Sequence, residues 1–263
     1  MRSLLFAIAY WSLSIVYTLM AAFAALAPGR GLTRWVIRRY VRRMVQAMAL
    51  FAGIRIEARG KERLPAGAFI LASKHQSWGD GFSVFSQFED VAFVTGDHLE
   101  RFPLLGRVLR KLGAIVVNNC GGPEARRALS RTAAQARDEG RRILIYPEGH
   151  LAKAGERFRY RTGVFHMYRD FAMPVVPVAT NLGLFWPQQS YEKRPGTATI
   201  EFLDPIEPGL GKAEFMARLE EAVETRTQAL IAEATGEPVR LSVLVPAPDE
   251  VGKAASKAAS TTA

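Results

Sequence analysis

The chain has 263 residues, 49% of them hydrophobic and 23% charged, which is enough apolar content to bury one substantial core and demands no second catalytic domain. Its one cysteine, Cys120, excludes an intramolecular disulfide, and the asparagine, glycine and proline around it offer nothing that would activate a thiolate. A formal net charge of +10 raises nucleic acid or an anionic membrane as partner, but the charge is uneven: residues 1–56 hold no Asp or Glu and carry Arg2, Arg30, Arg34, Arg38, Arg39, Arg42, Arg43 and Arg55, while the remaining chain is close to neutral.

From Leu4 to Ala27 no residue is charged. A helix of those 24 positions spans about 36 Å at roughly 1.5 Å per residue, against a hydrocarbon core of roughly 30 Å. Ala25-Leu26-Ala27 resembles a signal-peptide cleavage site, yet the apolar run exceeds the roughly 7–15 residues of a signal core, so a retained anchor is expected. Thr33 to Gly53 then interleaves arginines with Trp35, Val36, Ile37, Val41, Met44, Val45, Met48 and Phe51, the pattern of a basic amphipathic helix on a lipid surface. The arginine cluster predicts that the side after the first helix is cytoplasmic. The adjoining apolar run favours a membrane over nucleic acid, with a solvated charged helix face as the plain alternative.

Strands are expected over Ile54–Ala58, Ala68–Ser73, Val91–Thr95, Ala114–Val117, Arg142–Tyr146, Pro174–Thr180 and Ala198–Leu203. Helices are expected over Gly81–Phe88, Leu104–Leu112, Pro123–Glu139, Val164–Phe171 and Lys212–Ala234. This alternation reads as an α/β fold, with a mixed, largely buried sheet flanked by helices and preceded by a membrane-associated helical pair. The expected divisions are residues 1–53 (anchor and basic helix), 54–240 (α/β domain) and 241–263, a tail with no core-forming pattern that is expected to be disordered.

Two polar loops leave expected strands. The first, Lys74-His75-Gln76-Ser77-Trp78-Gly79-Asp80-Gly81, sets His75 and Asp80 five residues apart. They meet only if the backbone turns between them, and Gly79 is expected to ease that turn. Asp80 then accepts the Nδ1 proton of His75 and leaves Nε2 as a base. The plain alternative makes Asp80 a helix cap and His75 a filler. The second loop is Tyr146-Pro147-Glu148-Gly149-His150, in which Glu148 is placed to bind or orient a hydroxyl, or belongs to an ordinary turn. No metal-ligand spacing and no Gly-x-Ser-x-Gly elbow is present.

Taken in order, four stretches resemble the motif blocks of the 1-acylglycerol-3-phosphate acyltransferase (glycerolipid acyltransferase) family, over roughly residues 60–230. Ser73-Lys74-His75-Gln76-Ser77-Trp78-Gly79-Asp80 is similar to the His-x4-Asp block, with Lys74 where many members carry Asn. Leu99-Glu100-Arg101-Phe102-Pro103-Leu104-Leu105-Gly106 with Leu112-Gly113-Ala114-Ile115 is similar to the second, Tyr146-Pro147-Glu148-Gly149 to the third, and Pro174-Val175-Val176-Pro177-Val178-Ala179 to the fourth.

The resemblance implies a membrane enzyme that moves an acyl group from an acyl carrier protein or coenzyme A thioester to a lipid hydroxyl, with no metal, no redox cofactor and no acyl-enzyme. His75 is then the general base and Asp80 its orienting partner, while Glu148 and Gly149 help to hold the acceptor. The commonest acceptor is a lysophospholipid, 1-acylglycerol 3-phosphate, giving phosphatidic acid, with the active site on the cytoplasmic face. Here the usual phosphate-handling cations are replaced: Gly96 stands for Lys and Asn119 for Arg in the second block, and His150-Leu151 for Thr-Arg in the third. Lys74, His150, Arg157, Arg159 and Arg161 are the candidate replacements, since a phosphate monoester calls for charge-assisted donors. Two alternatives stay open: a phosphate-free acceptor such as a lyso-ornithine lipid, and a noncatalytic membrane adaptor.

Overall fold

The computed structural model describes residues 1–96, 103–117, 131, 133–188 and 190–249. Asn119, Cys120, residues 99–102 of the second block and residues 250–263 lie outside them. Part of the helix expected over Pro123–Glu139 does too, though residues 133–138 are helical.

Two helices open the chain, α1 (Arg2–Ala24) and α2 (Gly31–Ala47), the second running into a π-helical turn at Met48–Ala52 that ends on Gly53. α1 is long and apolar enough to cross a membrane and turns Leu4, Ile8, Trp11, Ile15, Leu19 and Phe23 to the exterior. Its other side is packed along its length. Phe6 sits edge-on to Trp186 at 5.0 Å, Tyr17 stacks on Tyr40 at 5.4 Å, and Ala21 and Ala24 close against Val36 and Val108. Phe6, Met44, Met48 and Ala52 share one core with Ile54, Leu182, Trp186 and Ala198. Residues 1–53 are therefore joined to the following domain by a common core, and cutting the chain there would open that core.

The arginines of α2 are engaged unevenly. Arg30 and Arg34 reach Asp90, Arg30 also pairs with Glu139 at 2.7 Å, and Arg38 meets Glu89 at 3.1 Å. Arg39 and Arg42 have no ion pair among the described residues, so the basic cluster partly locks α2 onto the domain and only partly faces outward.

Strands β1 (Ile54–Arg59), β2 (Ile70–Ser73), β3 (Val91–Gly96), β4 (Ile115–Val117), β5 (Arg142–Ile145), β7 (Val175–Thr180) and β8 (Gly196–Phe202) form one sheet in the order β1-β8-β7-β2-β5-β3-β4. Every neighbouring pair is parallel except β7 with β8. β2 lies at the centre, and each of its four residues is buried, which is why it reads as a continuous apolar run with no alternation. Helices α3 (Asp80–Phe85), α4 (Pro103–Leu112), α5 (Gly163–Phe171) and α6 (Lys212–Thr235) flank the sheet. The expected strands and helices that fall among the described residues lie within a few residues of these.

One element had no counterpart in the sequence reading. β6 (Glu156–Arg157) pairs in parallel with β9 (Val243–Leu244), and Ala247 closes on Ala152 and Phe158. The tail was expected to be disordered from residue 241, but residues 243–249 are docked on the domain. Two short strands joined across the chain leave no local pattern, because the hydrogen bonds are backbone to backbone.

Candidate active site

Adjacent parallel strands end on the same side of a sheet. Because β2 pairs with β5 in the register Ala72 to Ile145, the loop carrying His75 and the loop carrying Glu148 emerge side by side. They are then tied together: Ala152 N–H donates to His75 O at 2.8 Å, and His75 N–H points at Glu148 Oε1 at 3.4 Å.

The first loop closes on one carboxylate oxygen. Asp80 Oδ2 accepts from Gln76 N–H at 2.7 Å and Ser77 N–H at 2.8 Å, and lies 3.0 Å from His75 Nδ1. Those backbone donors hold the Asp80 carboxylate against Nδ1, a contact that orients the ring and favours the tautomer with its proton on Nδ1. Asp80 also begins α3, but its side chain serves the loop before it and caps none of the helix's own N–H groups. The His75 ring stacks on Tyr146, centroids 3.8 Å apart and planes at 16°, and is 20% exposed. Ser77 Oγ accepts from Gly79 N–H and is wholly buried, leaving it no role as a nucleophile.

Gly79 has an ordinary φ of −80°. It is required for space: a Cβ there would lie 2.8 Å from Trp186 Cε3 and 2.9 Å from Leu182 Cδ2. Gly149 is required twice, by φ +71° and by Arg161, whose Nε would be 2.7 Å from a Cβ.

Lys74 and Glu148 are both wholly buried and face each other at 3.1 Å. Lys74 Nζ also donates to Glu224 Oε1 at 2.9 Å and Glu156 O at 3.0 Å, while Glu148 Oε2 takes Phe158 N–H at 2.9 Å. Tyr160 O–H donates to Glu224 Oε1 as well. Burial pushes the Glu148 carboxyl up from its ordinary value, against the pull of Lys74. This network underpins the His75 loop from inside, so Lys74 and Glu148, expected to touch substrate, are held away from the open face.

The remaining cations divide. Arg157 pairs with Glu220. Arg159 is exposed, with no hydrogen bond or ion pair among the described residues. His150 and Arg161 come together over the Gly149 turn, His150 Nε2 lying 2.9 Å from Arg161 NH2, and Asp249 from the tail meets both. Desolvation pushes the Asp249 carboxyl up, but the His150 hydrogen bond and the Arg161 charge outweigh it and hold the group below its ordinary value.

Beside the His75–Tyr146 stack lies a cavity of about 430 Å³ between α2, α3, α4 and the sheet, lined mainly by apolar side chains that include Phe82, Phe85, Phe93, Leu105, Val108 and Leu144. Tyr146 forms part of its wall. The Tyr146 hydroxyl is buried without a hydrogen-bond partner among the described residues, and burial, then the Asp80 charge, push it well above its ordinary value. Sequence reasoning placed Tyr146 in a motif but gave it no function, and it missed Tyr160, Glu224 and Asp249 altogether.

Residues 55–181 match the Acyltransferase family. The chain is 27% identical over 253 residues to the 1-acyl-sn-glycerol-3-phosphate acyltransferase of Pseudomonas aeruginosa, covering 95% of this chain and 97% of that one. Over 165 residues it is 24% identical to human 1-acyl-sn-glycerol-3-phosphate acyltransferase beta, covering 62% of this chain and 59% of the human one. Its fold is similar to the crystal structure of the 1-acyl-sn-glycerophosphate (LPA) acyltransferase PlsC from Thermotoga maritima, with a TM-score of 0.69, 21% identity, and coverage of 88% of this chain and 98% of that one. Residues 55–181 are thus an Acyltransferase-family domain, and the chain is an acyltransferase.

Proposed function

We propose that the chain acylates the free hydroxyl of 1-acyl-sn-glycerol 3-phosphate from an acyl thioester, giving phosphatidic acid, with His75 as general base. The observation that carries this reading is the clamped His75–Asp80 pair, whose imidazole stacks on Tyr146 in the wall of an apolar cavity. His75 Nε2 takes the proton of the acceptor hydroxyl as its oxygen bonds to the thioester carbonyl carbon. The carbon–sulfur bond then breaks, and the proton passes from the imidazolium to the departing thiolate of coenzyme A or acyl carrier protein. General base catalysis of this kind contributes about 10²–10⁴-fold in rate. Asp80 holds the ring and stabilises its charged form. The likeness to 1-acyl-sn-glycerol-3-phosphate acyltransferases and the phosphate-binding potential of His150, Arg159 and Arg161 support the lysophosphatidate acceptor.

The acyl chain has a fitting receptor in the 430 Å³ cavity. The exterior apolar face of α1 and the outward arginines of α2 suit a lipid bilayer and support a position at the membrane, on its cytoplasmic side. Since α1 is packed along its length against the domain, lying in the plane of one leaflet fits its contacts better than crossing the bilayer.

A second reading, a lysolipid without a phosphate monoester, is favoured by the internal engagement of Lys74 and Arg157. Purified full-length protein is offered coenzyme A and acyl carrier protein donors with lysophosphatidate or lyso-ornithine lipid, beside His75→Ala. Lysophosphatidate turnover abolished by His75→Ala upholds the first reading. Turnover of the phosphate-free lipid alone establishes the second.

A further inference from the structure

The acceptor reading leaves one thing at the site without a purpose: a carboxylate from the end of the chain seated on the cations beside the base. Both oxygens of Asp249 lie 3.0 Å from Arg161 NH2, and Oδ1 lies 2.8 Å from His150 Nε2. A guanidinium and an imidazole that hold a carboxylate this way offer charge-assisted donors to the oxygens of a phosphate as well. The seat is built onto the catalytic loops themselves. Arg161 N–H donates to Pro147 O at 2.8 Å, its guanidinium packs over Gly149, and Ala152, two residues beyond His150, is bonded to His75 O.

Resting on that reading of the acceptor, we propose that Arg161 and His150 form the seat of its phosphate monoester, and that Asp249 is an internal stand-in which the arriving headgroup displaces.

Three observations make displacement feasible. Asp249 and Arg161 are 40% and 39% exposed, so their pairing is of the weak, screened kind. The tail behind Asp249 is held by a two-residue strand pairing and a small apolar cluster around Ala247. A phosphate monoester brings up to two negative charges and three acceptor oxygens to a seat that Asp249 fills with one charge and two. Lys74 and Arg157, by contrast, are bound to acidic side chains of the domain itself, Glu148 and Glu224 for the first and Glu220 for the second.

An internal competitor multiplies the apparent KM by the reciprocal of the fraction of seats it leaves free and leaves kcat alone. In full-length Asp249→Asn the KM for lysophosphatidate is expected to fall about two- to fivefold, the range an exposed ion pair supports. kcat, and the KM for a monoacylglycerol of the same chain length, are expected to stay as they are. An unchanged lysophosphatidate KM, or an equal fall with both acceptors, overturns the proposal.

If the wild-type protein does not acylate lysophosphatidate, it is the acceptor reading that has failed. The seat is then judged by titrating glycerol 3-phosphate against the His150 ring signals by NMR. Tighter binding in Asp249→Asn than in wild type, lost in Arg161→Gln, upholds the seat and its competitor; no response of His150 in any of them rejects both.

Discussion

Two acid–base clusters stand on the same pair of loops and are built in opposite ways. Around Asp80, itself buried, the partners are close in sequence and two of the three are backbone donors, all within 3.0 Å of one carboxylate oxygen. Around Asp249 the partners come from places 88 and 99 residues apart and stand partly in solvent. The first arrangement suits a group that must hold one orientation through every turnover, because its carboxylate is set before the ring arrives. The second suits recognition, because its contacts can be exchanged for those of a ligand at little cost.

The sharpest way to break this contrast is to remove the base. His75→Ala is expected to lower kcat by at least about 10²–10⁴-fold with circular dichroism and vesicle binding unchanged; residual activity within tenfold of wild type would remove His75 from the chemistry. Next in size is Lys74→Met, which leaves two buried carboxylates facing each other without their cation. A loss of about 3–5 kcal/mol is expected from urea unfolding, and a loss below about 1 kcal/mol would mean that the network is not the rigid support described above. Gly79→Ala is expected to destabilise by about 1–3 kcal/mol through overpacking against Trp186 and Leu182, and an unchanged unfolding midpoint would show that the wall behind the clamp yields. Smallest is Tyr146→Phe, which keeps the ring under His75 and deletes a hydroxyl that has no hydrogen-bond partner among the described residues. Its stability is expected to hold or to rise by up to about 1 kcal/mol, with kcat within threefold; a large drop in kcat would show that the hydroxyl takes part in the reaction.

The sheet was legible because its strands are the apolar runs, and β2 in particular has no polar face to confuse the pattern. His75 and Asp80 were legible by spacing together with the order of the four motif blocks. What stayed hidden depends on distance along the chain. Lys74 meets Glu224 across 150 positions, and nothing in either neighbourhood announces the other. A lysine beside a candidate base read as a substrate cation, when burial had turned it inward. Gly79 read as a hinge because glycine in a turn usually is one, yet its φ is ordinary and the constraint is a neighbouring indole. The tail's Ala, Ser, Thr and Lys composition concealed a backbone-mediated strand, whose pairing asks little of side-chain type.

That indole has a wider consequence. Trp186 receives Phe6 at 5.0 Å and Tyr10 at 5.6 Å from α1, whose outer side is apolar and exposed, and it also abuts Gly79, next to Asp80. A single rigid side chain thus acts as a spacer between α1 and the His75–Asp80 loop. On the proposed placement of α1 in a lipid leaflet, the depth at which the helix settles would set the height of His75 above the hydrocarbon, and a smaller residue at position 186 is expected to detune that height even with each reacting group in place.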